Sequence, residues 1–96
     1  MNHPYPPCMS IETANPGKKV VYTGGNGLPS DHERAASAGL IPGMAYTLAQ
    51  AEVSGWSTKV YLQETANAKF PSGITMYFNS VIFADVDDWK AHVASM

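Results

Sequence analysis

Residues 22 to 34 read Tyr22-Thr23-Gly24-Gly25-Asn26-Gly27-Leu28-Pro29-Ser30-Asp31-His32-Glu33-Arg34: the end of a strand, a glycine loop and the start of a helix. Three glycines in four positions carry neither a helical turn nor a ladder well, because each loses the most backbone entropy on folding. Any fold must turn there and restart near Ser30. Ser30 stands three residues before Glu33, the capping-box spacing in which each side chain satisfies the other residue's backbone N–H. Asp31 and Glu33 suit the positive helix end, and Gly39 marks a stop, which predicts a helix over residues 31–38. The same glycines let the backbone come close to a partner, so Tyr22, Gly24, Gly25, Asn26 and Gly27 are the first recognition candidates.

Around this loop the apolar pattern has a period of two. Residues 18–23 (KKVVYT) put Val20 and Tyr22 on one face and Val21 and Thr23 on the other. Residues 44–53 alternate Met44, Tyr46 and Leu48 against Ala45, Thr47 and Ala49, and Ser54-Gly55 then breaks the run. Residues 56–64 set Thr58, Val60 and Leu62 opposite Lys59, Tyr61 and Gln63, which predicts a hairpin. After a polar loop over 65–73, a fourth strand is expected over 74–78 with Ile74, Met76 and Phe78 on one face. An Asn79-Ser80 turn leads to a fifth strand over 81–86. Five short strands in a small, mainly β domain favour a closed or nearly closed barrel, because closure removes exposed edges. A C-terminal helix over 87–96, capped by Asp87, would lay Trp89 and Val93 on that barrel.

Ninety-six residues make a single domain that buries roughly 60–70% of its unfolded surface. The reading is a Pro-rich flexible arm over 1–17, a barrel over 18–86 and a tail or short helix over 87–96. Charged residues are only 15% of the chain, below the roughly 25% usual for soluble domains, so a partner or a second copy is expected to cover part of the uncharged surface. Six basic residues, scattered in a chain of net charge −2, argue against non-specific nucleic-acid binding. One cysteine, Cys8, builds neither a disulfide framework nor a CxxC zinc site, and in the arm it reads as an idle thiol. His3, His32 and His92 have no ligand spacing, and Asp85-Val86-Asp87-Asp88 lacks the glycine and terminal Glu of an EF-hand loop. No metal or cofactor is expected. Without a signal-peptide pattern or a long apolar run, the expectation is a cytosolic protein away from membranes.

The glycine loop is not a Walker A motif, since no Lys-Ser/Thr follows, nor a Rossmann fingerprint. It can still turn several N–H groups towards an anion. Arg34 lies one helical turn past Ser30, and Lys59 and Tyr61 share an exposed strand face. Together they could grip a phosphate-bearing ligand stacked on Tyr61 or Trp56. The plainer alternatives are a purely conformational role for the glycines and a core role for Trp56 and Trp89. An enzymatic reading of His32 and Glu33 is weaker. Neighbours on a helix point about 100° apart, Glu33 is absorbed by the capping box, and Ser30 has no G-x-S-x-G elbow.

The pattern Val21-Tyr22-Thr23-Gly24-Gly25-Asn26-Gly27, then Met44-Ala45-Tyr46-Thr47-Leu48, then Val60-Tyr61-Leu62, then Phe78-Asn79-Ser80-Val81-Ile82-Phe83 resembles a group of small bacteriophage and prophage proteins. It covers roughly residues 18–86, and YTGGNG and FNSVxF are its most specific parts. The resemblance implies a small five-stranded SH3-like barrel whose last two strands are joined by a single 3₁₀ turn. The group has no assigned chemistry; its phage setting, taken with the missing catalytic constellation, leads to the expectation of a non-enzymatic binding protein that engages and inhibits a host macromolecule, a defence or replication component, in the host cytosol. Its contact surface would comprise the loop, His32, Arg34, Trp56, Lys59, Tyr61 and Asn79. The second reading is a protein that sequesters a nucleotide or other phosphate-bearing molecule at the same loop, across an oligomer interface. A small hydrolase comes third. Proline-peptide recognition is not expected, because a dense acidic and aromatic loop is replaced here by a Gly/Asn-rich one.

Overall fold

Val20, Val21 and Tyr22 are all buried, although they alternate faces, because β1 (Lys19–Tyr22) is flanked on both sides in the sheet and covered above and below. The computed structural model describes residues 6–55 and 57–95. After β1 come α1 (Pro29–Ser37), β2 (Ala45–Val53), β3 (Thr58–Leu62), a 3₁₀ turn (Gln63–Thr65), β4 (Phe78–Asn79), a second 3₁₀ turn (Ser80–Ile82), β5 (Phe83–Asp85) and α2 (Val86–Ala94). The strands form one antiparallel sheet in the order β4-β3-β2-β1-β5. β4 and β5 are its two edges and do not pair with each other, so the sheet is not closed.

The hairpin expected between the two long alternating runs is present, with Val53 opposite Thr58 and Leu48 opposite Leu62. Between Leu48 and Gln50 the register slips by one residue, so Ala49 is a bulge. A bulge bends its strand and increases the local twist. Here it lets the first part of β2 pair with β1 and the rest pair with β3. Thr58, Val60 and Leu62 then point inward, leaving Lys59 and Tyr61 half-exposed on the other face.

Phe78 and Phe83 anchor the core from either side of the second 3₁₀ turn, fully buried, with ring centroids 6.2 Å apart in an edge-on pairing. Met9, Val20, Tyr22, Ala35, Leu40, Leu48, Val60, Leu62 and Ile82 complete it. Truncating either phenylalanine to Ala would cost about 3–5 kcal/mol through lost burial and the cavity left behind. Val21 and its register partner Ala84 are buried outside this cluster, next to α2, which contacts both β1 and β5.

Four expectations need correction. The Ser30–Glu33 capping box does not form: the N-cap is Leu28, Pro29 takes the first helical position, and Ser30 lies inside the helix. Proline's fixed φ suits that position, and Asp31 then stands three residues past the cap, where Oδ2 accepts the Leu28 N–H at 2.8 Å. The helix stops as expected: Leu40 N–H reaches Ala35 O and Gly39 N–H reaches Ala36 O, a Schellman motif. Of the fourth strand only Phe78 joins the ladder, together with Asn79. The chain before it closes on itself, with Phe70 N–H donating to Ile74 O and Lys69 bridging Thr75, which leaves Ile74 59% exposed. In α2 the N-cap is Asp85 rather than Asp87, no residue is buried, and Val93 is 44% exposed.

The fourth correction concerns the arm, whose residues 1–5 lie outside the described residues. From Pro6 to Gly17 it forms neither helix nor strand, as its prolines dictate, yet it is tied down. Met9 N–H donates to Phe83 O at 2.7 Å, and Ser10 N–H donates to the Asp85 carboxylate, which also pairs with Lys18 at 2.9 Å. Met9 itself is 5% exposed and belongs to the core.

Candidate functional site

The glycine loop is held by its own chain. Gly24 and Gly27 have φ of +74° and +70°, a left-handed conformation that L side chains rarely adopt. A Cβ at Gly24 would lie 2.9 Å from the Pro42 ring, and one at Gly27 would lie 2.8 Å from Ile82 Cγ2. Gly25 is equally tight against the Pro6 ring. Asn26, also left-handed at φ +58°, donates its side-chain N–H to Pro6 O at 2.8 Å. The Thr23 hydroxyl accepts the Gly25 N–H and lies 2.9 Å from Ile82 O. These contacts account for the glycines by packing.

His32 connects the loop to β1. Its Nε2 meets the Asn26 carbonyl, which can only accept, so Nε2 carries the proton. Nδ1 then accepts from the Tyr22 hydroxyl at 2.7 Å. Burial pushes the Tyr22 phenol above its usual range, keeping it a donor. Both imidazole nitrogens are thus engaged within the fold.

Lys59 and Tyr61 meet Arg34, distant from them in sequence, on the opposite side of α1, where two rings missing from the sequence reading join them. Phe70 and Tyr77 pack edge to face with centroids 5.1 Å apart. The Arg34 guanidinium lies 5.1 Å from each ring centroid, and its Nη1 is 3.4 Å from Tyr77 O. Lys59 Nζ lies 4.7 Å from the Tyr77 centroid, and Tyr61 packs against Tyr77 at 6.1 Å. A cation over an aromatic face gains roughly 0.5–1 kcal/mol at an exposed site, enough to bias each head group towards this position by a factor of roughly two to five. Among the described residues the ion pair found is Lys18–Asp85, so Arg34 and Lys59 carry their charges with no carboxylate in ion-pair contact.

Two depressions flank the tyrosine pair. A cleft of about 180 Å³ is lined by Asp31, Arg34, Ser57, Thr58, Lys59, Tyr77, Phe78 and Asn79. A groove of about 490 Å³ is lined by Ala49, Gln50, Glu52, Tyr61, Leu62, Ala66, Ile74 and Thr75. Burial, and next the charge of Glu52, push the Tyr61 phenol upwards. Asn79, the last sequence candidate, is largely structural: its Oδ1 accepts the Val81 N–H and caps the second 3₁₀ turn. Trp56 lies outside the described residues.

The sequence candidates therefore divide into Tyr22, residues 24–27 and His32 on one side and Arg34, Lys59 and Tyr61 on the other. Phe70 sits in a loop read as polar, and Tyr77 in a strand read by its other face, so only the alternation of Tyr77 against Met76 and Phe78 hinted at an outward ring. Among the described residues no group of three or more His, Cys, Asp or Glu side chains is placed to hold a metal ion, and no helix is long and apolar enough to cross a membrane. No family model, curated protein or solved structure matches the chain.

Proposed function

We propose that this chain is a non-enzymatic binding protein of the phage type, an SH3-like barrel that engages and inhibits a host protein through Arg34, Lys59, Tyr61, Phe70 and Tyr77. The barrel assignment is supported by the strand order, with β1 between β2 and β5, and by the 3₁₀ turn joining β4 to β5. The observation that carries the function is the pair of cations placed over Tyr77 and, among the described residues, in ion-pair contact with no carboxylate. Arg and Tyr dominate the energetics of protein interfaces, and side chains already fixed in place lose less entropy on binding. The test is affinity capture from host lysate. The wild-type chain should retain a stoichiometric partner, and the double variant Arg34→Ala, Lys59→Ala should lose it while keeping its melting temperature within a few degrees. Capture unaffected by the double variant counts against this surface.

The same cations beside stacked rings favour a second reading, sequestration of a nucleotide or similar phosphate-bearing molecule. A ligand that binds only the folded state raises Tm, so a thermal-shift screen of nucleotides separates the two readings. A shift abolished by Arg34→Ala would move the proposal to the small molecule.

A further inference from the structure

Resting on that reading, we propose that the surface takes an extended acidic segment of its partner, with one carboxylate between Arg34 and Lys59 and an apolar side chain in the groove beyond Tyr61. The size of the cleft sets the first limit. At about 180 Å³ it is smaller than the roughly 300–1,000 Å³ of sites that enclose cofactors, so it suits the head of one side chain.

Charge sets the second limit. Arg34 and Lys59 line the cleft together with Asp31, whose carboxylate is fixed by the Leu28 N–H and lies 3.5 Å from Asn79 Nδ2. One monoanionic carboxylate balances the cleft's own three charges, with Glu52 standing opposite Lys59 across the β2–β3 ladder. A phosphate dianion would overshoot it and face Asp31 directly, and like charges at close range disfavour each other. Planar carboxylate also matches the guanidinium fork of Arg34.

The neighbouring groove supplies the second anchor. Its Ile74 is 59% exposed, and Ala49 and Ala66 extend the apolar lining. Lys59 and Tyr61 are two residues apart on one face of β3, a separation of about 7 Å along a strand. An extended peptide repeats its side chains at the same interval, so the acidic and apolar residues should be two positions apart. Glu52, at the groove and coupled to Tyr61, would repel a second acid and so fix which end of the segment lies there.

Ribosome display of random short peptides against the full chain tests this. Enriched sequences should carry Asp or Glu two positions from Leu, Ile, Phe or Met. By fluorescence anisotropy, a selected peptide should bind Arg34→Gln at least about ten-fold more weakly, and its own acid-to-amide version should lose a similar factor. The two changes together should cost little more than either alone, because they remove one contact. Ile74→Ser should weaken binding with an unchanged salt dependence. Selection that yields no acidic motif, peptides indifferent to Arg34→Gln, or tighter binding when phosphoserine replaces the acid would each overturn the proposal. Loss of the lysate partner in the Arg34→Ala, Lys59→Ala variant, alongside a failed peptide selection, leaves the surface standing and removes only the acidic segment. Partner capture that survives the double variant removes the surface itself.

Discussion

The loop over residues 24–27 and the cluster around Tyr77 present opposite cases. The loop has a strong local signature and spends its contacts internally, on Pro6, Pro42, Ile82 and His32. The cluster has no local signature, and among the described residues its charges face outward without an acidic neighbour in ion-pair contact. A run of glycines records where backbone must approach something closely, and in this fold that something is the chain itself. A recognition surface instead needs groups left over once the fold is satisfied.

The sharpest way to break this contrast is Gly27→Ala. A methyl in left-handed backbone against Ile82 should cost about 3 kcal/mol and lower Tm by roughly 10–20 °C. A variant as stable as wild type would mean the loop is free to serve a partner after all. Next in size is His32→Ala, which removes both links between the loop and β1 and should cost about 1–2 kcal/mol in urea unfolding. Arg34→Gln and Lys59→Gln should do the reverse, each changing stability by less than about 1 kcal/mol while weakening partner capture.

The smallest effect lies away from both regions. Burial raises the Glu64 carboxyl, but the Thr47 N–H at 2.8 and 3.0 Å from its two oxygens, with Lys19 nearby, leaves it net below its ordinary value of 4.5. A carboxyl depressed in the folded state stabilises above its unfolded value, and that stability is lost as pH falls through the folded value. The urea midpoint should therefore drop more below pH 4.5 in wild type than in Glu64→Gln, with the variant slightly less stable at neutral pH.

The sheet was legible wherever one strand face is buried, as in the Thr58, Val60 and Leu62 alternation of β3. Legibility failed where a contact distant in sequence decides the outcome. Ile74 and Met76 alternate like a strand, but the turn closed by Phe70 and Ile74 takes that segment out of the ladder. Met9 lies among prolines with no period to announce it, and its place in the core depends on Phe83. Ser30 and Glu33 have the right spacing for a cap, but Leu28 caps the helix two residues earlier, with Pro29 at the first helical position and Asp31 accepting the Leu28 N–H. At the site, Arg34 and Tyr77 are 43 residues apart and meet only because α1 packs against β4. Periodicity reports which residues face inward, and it is silent on which outward ones become neighbours.

Phe83 directs its carbonyl away from β1, and Met9 takes it up. A sheet margin that would otherwise be available to any unpaired polypeptide is thus occupied by the protein's own leading segment, and a plug of thioether seals the seam. Variants shortened past Met9 should keep their circular-dichroism spectrum yet self-associate at high concentration, so the proline-rich stretch acts as a guard for solution behaviour.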